Sequence, residues 1–331
     1  MPESIHETGA ADRRAPTPQT ALVAGGSRGL GLLIAAELAL RGYRVQVCGR
    51  DPRTLQQARD QLARERLSIG TTVCDVSDSA AVAAWVRAAS DPSAPITVAI
   101  HVAGIIQVGP IESVTPAMFD ECIDIMTKGP AYLALAVLPG MRARGFGRYG
   151  IVSSVGGVIG VPHLVPYSTA KFGAAGLGQA LRAELAGTGV TATTILPPPM
   201  RTGSHVHAQY SGNRSAEYAW FAPGASIPGV SLDGRTAARR AVDGTLRGAP
   251  IVGLSPVTQL LMRAHGLAPS TVVRALGVLG RVLPGGTGRP KAGHDVRDER
   301  TNPLVDALTT AGDAMGARTN EQHRVEGDPA P

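Results

Sequence analysis

A serine, a tyrosine and a lysine in the middle of the chain have the types and spacing needed for proton transfer. Tyr167 and Lys171 are four residues apart, so a helix would place both side chains on one face. A nearby ammonium group lowers the pKa of a phenol from about 10, which lets tyrosine exchange a proton with an alcohol or ketone. Ser154 stands 13 positions before Tyr167, at the end of a predicted strand. The Tyr–Lys spacing alone is common on surface helices, so the prediction of a catalytic site depends on the serine as well.

A glycine-rich loop precedes these residues and predicts a nucleotide site. Residues 24–31 read Ala-Gly-Gly-Ser-Arg-Gly-Leu-Gly, between a predicted strand at 21–24 and a predicted helix at 29–41. Glycine permits the tight turn, the approach of backbone N–H groups to a pyrophosphate and the close packing of helix on strand. The helix N-terminus then favours an anion. The alternative is an ordinary glycine-rich turn.

The end of the second predicted strand favours NADP(H) over NAD(H). Proteins that bind NAD usually place an acidic residue there to hold the ribose 2′-hydroxyl, and Cys48 cannot do so. Arg28 in the loop and Arg50 after the strand could hold a 2′-phosphate through their guanidinium groups. In the alternative, both arginines are simply solvated and Asp51 is an NAD-type acid, although its position suits the cap of the next helix.

The elements that must position these residues alternate along the chain, which predicts an α/β fold. Apolar strands and amphipathic helices follow one another as β-α-β units, typical of a Rossmann-type, doubly wound parallel sheet with a C-terminal helical extension. We expect a flexible arm at 1–19, an α/β domain at 20–254 with a substrate loop at about 200–230, amphipathic helices at 255–284 and a mostly disordered tail at 285–331. One weak helix is expected at 302–311.

Composition excludes several other classes of protein. The 331 residues are 44% hydrophobic and 18% charged, which is typical of a globular chain. Three cysteines without a C-x-x-C motif exclude a disulfide framework and a common zinc site, and fit the cytoplasm. The net charge is +6, but the arginines are dispersed, so nucleic-acid binding is not expected. The N-terminus lacks the apolar region of a signal peptide, and prolines interrupt the two long uncharged stretches that approach membrane-span length.

Together, the glycine loop, Ser154, Tyr167 and Lys171 resemble the short-chain dehydrogenase/reductase (SDR) family over about residues 20–254. The resemblance implies a homo-oligomeric oxidoreductase that interconverts a ketone and a secondary alcohol. Tyr167 would be the general acid/base, Ser154 would bind the substrate oxygen, and Lys171 would lower the tyrosine pKa and bind the nicotinamide ribose. Asp75 and Val76 would contact adenine, and Thr202 the carboxamide. The expected cofactor-binding residues are Gly25, Ser27, Arg28, Gly29, Leu30, Gly31, Arg50, Asp75, Val76, Ala103, Gly104, Tyr167, Lys171, Pro197 and Thr202.

Four departures from the family pattern affect this interpretation. His101 and its neighbour replace two asparagines, Ala24 replaces a threonine and Pro198 replaces a glycine. Met126 stands where the family has a catalytic asparagine that helps hold a proton-relaying water, and a thioether is a weak acceptor and no donor. Thr127 or a backbone carbonyl could serve that relay. We expect His101 to be a hydrogen-bonded strand-end residue. The alternative function is a catalytically impaired nucleotide-binding regulatory or scaffolding protein.

The substrate site and the C-terminal helices are the least specified parts. Val155, Val161 and His163 lie between the catalytic candidates and favour a lipophilic substrate, although they could equally pack beneath a loop. The apolar face of the helix predicted at 270–283 fits a membrane-surface contact, a lid over the site or ordinary packing on the core. His205 and His207 lack a third ligand, so no metal is expected.

Overall fold

A computed structural model describes residues 18–299 and 303–321 of the chain. The strands are β1 (Thr20–Ala24), β2 (Arg44–Gly49), β3 (Ile69–Val73), β4 (Ile96–His101), β5 (Gln107–Val108), β6 (Gly147–Val152), β7 (Val190–Leu196), β8 (Met200–Arg201), β9 (Gln209–Tyr210), β10 (Leu232–Asp233), β11 (Ile251–Gly253) and β12 (Lys291–Ala292). The helices are α1 (Gly29–Leu40), α2 (Pro52–Arg64), α3 (Ser79–Ala89), α4 (Pro116–Ile123), α5 (Gly129–Ala143), α6 (Val165–Glu184), α7 (Arg214–Gly224), α8 (Gly234–Leu246), α9 (Pro256–Leu267), α10 (Pro269–Gly280), α11 (Gly293–Glu299) and α12 (Pro303–Ala317).

A seven-stranded parallel sheet forms the centre of the molecule. Its strand order is β11-β7-β6-β4-β1-β2-β3, and every neighbouring pair is parallel. The chain runs outward from β1 to β3 and then crosses back to β4. Ligands of doubly wound sheets bind where the strand order reverses, outside the carboxyl ends of the strands. The predicted fold class is confirmed, and this reversal places the crevice between β1 and β4.

Helices cover both faces of the sheet, which explains why its strands are almost entirely apolar. All residues of β1 and β4 are buried. Successive side chains of a strand point to opposite faces, so Leu22 and Ala24 join one hydrophobic core while Ala21 and Val23 join the other. The site therefore lies on a sheet that is held rigid from both sides.

The long helix predicted at 118–142 is continuous from α4 to α5 but contains a π-helical turn. This turn spans Asp124–Lys128 and includes Met126. A π-turn widens a helix by one residue, and such turns occur frequently at functional sites. Met126, which stands where the family has an asparagine, thus lies in the π-helical turn beside the candidate site.

The regions predicted as loop and tail contain regular structure. The substrate loop at 200–230 includes β8, β9 and α7, and α7 begins after Asn213, whose side chain accepts from the Ala216 N–H at 3.3 Å. The sequence predicts a mostly disordered tail from 285 with one weak helix at 302–311; the structure has β12, α11 and α12 in this region, and α12 overlaps that predicted helix. These elements are short or rich in small residues, so tertiary contacts rather than their own composition order them. Residues 1–17, 300–302 and 322–331 lie outside the described residues. The first of these ranges contains most of the arm predicted at 1–19.

Four further observations concern the described residues. Within 18–299 and 303–321 no helix is long and apolar enough to cross a membrane, and no group of three or more His, Cys, Asp or Glu side chains could hold a metal ion. All three cysteines are buried and free. No residue of α10 is buried, which does not fit ordinary packing of this helix on the core.

Candidate active site

Ser154, Tyr167 and Lys171 meet at the carboxyl end of β6. Ser154 follows the strand and caps a short 3-10 turn, accepting from the Gly156 N–H at 3.1 Å. Tyr167 lies in the first turn of α6 close to Ser154, since a Cβ on Gly156 would lie 3.3 Å from Tyr167 Cε1 and 3.6 Å from Ser154 Oγ. Lys171, one turn later, is buried with its Nζ 5.7 Å from the Tyr167 ring centroid. The local spacing seen in the sequence thus becomes a contact between strand end and helix start.

The electrostatics of this group differ from the sequence expectation. Burial raises the pKa of Tyr167 above its ordinary value, and the hydrogen bond from Ser154 opposes that rise only partly. Burial also lowers the pKa of Lys171 to about 8. Lys171 Nζ donates to the Val152 carbonyl at 2.9 Å, so the lysine is bonded to the strand rather than to the phenol. The phenol is therefore protonated near neutral pH, as a proton donor must be.

The glycine loop packs tightly between the ends of three strands. Gly25 has a φ of +83° and donates to the Cys48 carbonyl at 3.0 Å. A Cβ on Gly25 would lie 2.5 Å from the Ala103 nitrogen, just after β4. A Cβ on Gly31 would collide with the Gly25 carbonyl, so α1 approaches the loop as closely as glycine allows. This cradle fits a dinucleotide phosphate.

The end of the cradle beside β2 carries the two arginines of the predicted NADP site. Cys48 is fully buried, and Arg50 follows it on the exposed edge. The Arg28 side chain is about one-third exposed. Asp51 accepts from the Arg53 N–H at 2.8 Å as the cap of α2, which matches the capping alternative. Arg28 and Arg50 therefore flank the end of β2, where Cys48 stands in place of an acidic residue.

Residues expected near adenine and nicotinamide line the same crevice. The Asp75 carboxylate accepts from the N–H and hydroxyl of Ser77, and Val76 is buried beside it. Ala103 and Gly104 follow β4, and a Cβ on Gly104 would lie 3.5 Å from Lys171 Nζ.

On the other side of the crevice, the Pro197 carbonyl accepts from the Val155 N–H at 2.9 Å. Thr202 is buried near the end of the same segment. The predicted site residues therefore share one edge of the sheet.

Met126 packs directly against this edge. It is almost fully buried, and its Sδ would lie 3.1 Å from a Cβ on Gly104. Thr127, a candidate to replace the family's asparagine, instead donates to the Ala170 carbonyl at 2.9 Å. The backbone carbonyl of Val152 is the group that meets Lys171 Nζ.

His101 corrects one expectation. It ends β4 and is buried, but its Nε2 has no hydrogen-bond partner in the part of the chain that the structure describes. Burial lowers its pKa to about 3, so the ring is neutral. A hydrogen-bonded strand-end histidine is therefore wrong for this position.

A buried hydrogen-bonded pair that the sequence did not indicate lies beside the candidate substrate residues. His163 has a φ of +61°, and its Nδ1 lies 2.8 Å from Oε1 of Glu217 in α7. Glu217 is fully buried and its Oε2 accepts from Trp220 Nε1 at 2.6 Å. Burial raises the pKa of Glu217. The one sequence signal for this pair is that Glu217 is an acidic residue within an aromatic stretch.

Val155 and Val161 are half-buried, and Val161 packs with Tyr167 in the apolar cluster around α7.

The second contact that sequence reasoning missed comes from the end of the described chain. The Thr319 carbonyl accepts the Gly29 N–H at 2.8 Å, at the first residue of α1. Gln61 Nε2 in α2 donates to the Arg318 carbonyl at 2.6 Å. Nothing in the local sequence around 318–321 indicates docking on a loop almost 300 positions earlier.

Comparison with known proteins gives consistent matches. The family model described as short chain dehydrogenase matches residues 19–210. The granaticin polyketide synthase putative ketoacyl reductase 1 of Streptomyces violaceoruber is 35% identical over 196 residues, covering 58% of this chain and 72% of that protein. A crystal structure of an actinorhodin polyketide ketoreductase variant with NADPH aligns with a TM-score of 0.64 and 26% identity, covering 71% and 95% of the two chains. A metagenomic short-chain oxidoreductase in complex with NADP aligns at 0.52 and 30% identity, covering 55% and 83%.

Proposed function

The chain belongs to the short chain dehydrogenase family of oxidoreductases acting on CH–OH and C=O groups with a nicotinamide dinucleotide, and we propose that it is an NADP(H)-dependent reductase of a lipophilic ketone. The observation that carries this proposal is the convergence of Ser154, Tyr167 and the buried Lys171 at the end of β6, in the crevice that the glycine loop borders.

The bound dinucleotide supplies the hydride to the carbonyl carbon. Tyr167 donates its proton to the carbonyl oxygen, and its raised pKa keeps that proton in place near neutral pH. Ser154 hydrogen-bonds the same oxygen and orients it. Lys171, fixed by the Val152 carbonyl, holds positive charge near the phenolate that forms. The reverse direction uses the same groups to oxidise an alcohol.

Two arginines support the preference for NADP(H). Arg28 and Arg50 flank the end of β2, where Cys48 stands in place of an acid. Guanidinium groups bind phosphate through charge-assisted hydrogen bonds. In Arg50→Ala we expect the ratio of NADPH to NADH affinity to fall by about tenfold or more, since each such bond contributes about 1.5–3 kcal/mol. An unchanged ratio would contradict the assignment.

Apolar side chains support the lipophilic substrate. Val155 and Val161 are half-buried beside the catalytic candidates, and Val161 joins the cluster that contains Tyr167. The similar proteins named as ketoacyl reductases point in the same direction. The impaired, regulatory alternative is favoured by Met126, a buried thioether that cannot hold a relay water as an asparagine does.

The C-terminal helices and the thiols support two finer parts of the proposal. α9 exposes Val257, Leu260 and Leu267, α10 exposes Val273, Val278 and Leu279, and the sequence contains no acidic residue between Asp243 and Asp295. Apolar and cationic helices favour an anionic membrane surface, and pelleting of the full chain with anionic but not neutral vesicles would test this contact. The buried free cysteines support the cytoplasmic part of the proposal. The proposed homo-oligomeric state is tested by sedimentation velocity.

Turnover with a tyrosine variant tests the central proposal. NADPH binding is followed by fluorescence, and its oxidation by absorbance with a panel of lipophilic ketones. We expect Tyr167→Phe to bind NADPH like the wild type but to lose about 100-fold or more in kcat. Tyr43→Phe, at a tyrosine between α1 and β2, is the matched control and should keep full activity. NADPH binding without tyrosine-dependent turnover on any ketone would favour the regulatory alternative.

A further inference from the structure

The last four described residues, Arg318–Glu321, form a C-terminal segment that lies across the glycine loop. The Thr319 carbonyl accepts the Gly29 N–H at 2.8 Å. The Thr319 hydroxyl donates to the Thr202 carbonyl at 2.8 Å. The segment therefore bridges the start of α1 and the segment that follows β7, which are the two walls of the cofactor crevice.

Asn320 fastens the segment to the loop from a second direction. Its Nδ2 donates to the carbonyl of Ser27 at 2.9 Å and to that of Thr54 at 3.0 Å. Asn320 is buried, and its φ of +60° turns the chain at this point. Both acceptors are backbone atoms next to the cradle, so the fit depends on the fold of the loop rather than on flexible side chains.

Glu321 brings a carboxylate to the cradle itself. The side chain is about 7% exposed, and a Cβ on Gly29 would collide with its Oε1. Oε2 has no hydrogen-bond partner among the described residues, although Arg28 Nε lies 3.7 Å and His207 Nε2 3.3 Å away. His207 Nε2 is instead hydrogen-bonded to the Glu321 backbone carbonyl at 2.9 Å. A buried carboxyl group thus lies at the N-terminus of α1 with one of its oxygens unpartnered among the described residues.

These contacts involve the donors that a dinucleotide phosphate needs. The first N–H groups of the helix after β1 bind pyrophosphate in this type of fold, and the C-terminal segment occupies the first of them. We propose that Arg318–Glu321 is an internal occupant of the phosphate site, which must leave before the dinucleotide binds and thereby exposes Gly29, Arg28 and His207 to the phosphates. The inference rests on the proposed function, because it requires a dinucleotide in this crevice.

The charge of Glu321 makes this occupancy depend on pH. Burial raises its pKa from 4.5 to about 7, although Arg28 acts in the opposite direction. The facing His207 is neutral, since burial, Arg28 and His294 lower its pKa to about 3. A released carboxyl titrates near its ordinary value, so docking is strongest below pH 4.5, weakens up to about pH 7 and is constant above. Wild-type affinity for NADPH should therefore rise from pH 5 to 7 more steeply than that of Glu321→Gln.

Competition predicts a tighter complex when the segment is weakened. The apparent Kd equals the intrinsic Kd divided by the fraction of molecules with a free site. Asn320→Ala removes two hydrogen bonds of the segment and touches neither Tyr167 nor the glycines, so we expect its Kd for NADPH to fall by about tenfold. Thr310→Ala is the matched control, because its hydroxyl bonds only to the Asp306 carbonyl within α12. It should keep the wild-type Kd.

Hydrogen exchange of the full chain reports the segment directly. We expect residues 316–321 to be protected without nucleotide and to lose protection when NADPH saturates the site. Protection that persists or increases with NADPH bound, or equal Kd values for the wild type and Asn320→Ala, would overturn the inference while the proposed function stands. If neither protein binds NADPH or NADH, the proposed function and this inference fail together.

Discussion

Gly25→Ala tests whether the close packing of the glycine loop on β4 is required for stability and cofactor binding. The new Cβ would lie 2.5 Å from the Ala103 nitrogen and 2.6 Å from its Cα, although real Cβ contacts are essentially never shorter than 3.0 Å. Backbone atoms cannot rotate away, so the loop must move. Overpacking of this kind costs about 1–3 kcal/mol. The φ of +83° adds about 1–2 kcal/mol for a residue with a Cβ.

Gly42→Ala separates these two costs. Gly42 has almost the same φ, +84°, but a Cβ there would meet nothing within 4 Å. It should therefore show the backbone cost alone, with unchanged affinity for NADPH. Urea unfolding measures the free energy of unfolding of both variants, and fluorescence titration measures their NADPH affinity. If Gly25→Ala loses no more stability than Gly42→Ala and binds NADPH as the wild type does, the contact with Ala103 does not shape the phosphate site.

Three further predictions concern the catalytic group, a helix cap and the substrate side. Because burial lowers the pKa of Lys171 to about 8, the lysine is charged below and neutral above that pH, so kcat/KM for ketone reduction should fall as the pH rises through about 8; a profile flat to pH 10 would contradict this. Asp51→Ala should lower the free energy of unfolding by about 0.5–2 kcal/mol, the cost of a lost cap, without changing NADH affinity in a titration; weaker NADH binding would reveal an NAD-type role instead. Glu217→Gln replaces the buried carboxyl that is hydrogen-bonded to His163 and should raise KM for a lipophilic ketone by about tenfold while the Kd for NADPH stays constant; equal KM values would show that the pair does not shape the substrate side.

Local signals were sufficient to predict most of the sheet and to select the candidate catalytic residues. Apolar runs predict the strands because helices cover both faces of the sheet. Asp51 is predicted as a helix cap because the capping bond spans only two residues. Ser154, Tyr167 and Lys171 could be found because a strand end and a helix turn fix their relative positions over 18 residues. Each of these predictions uses an interaction between residues that are close in sequence or repeat with a regular period.

The remaining features depend on contacts that sequence patterns do not encode. The pKa of Tyr167 is raised rather than lowered because burial, which spacing cannot reveal, outweighs the effect of Ser154. The sequence predicts only a weak helix at 302–311, whereas α12 extends to Ala317 and contains several small residues. A Cβ on Gly312 would collide with Ser226, so those small residues permit close packing. The pair of His163 and Glu217 joins residues 54 positions apart.

The bond between Gly29 and Thr319 has a consequence for biosynthesis. A ribosome adds about 5–20 residues per second, so the 290 residues that separate these partners take on the order of 15–60 seconds to make. During that interval the N–H groups at the start of α1, where we propose that phosphate binds, are not covered by residues 318–321. A nascent chain would therefore have access to cellular dinucleotides before its own C-terminal segment emerges. The order of synthesis alone gives the cofactor the first opportunity to occupy the cradle.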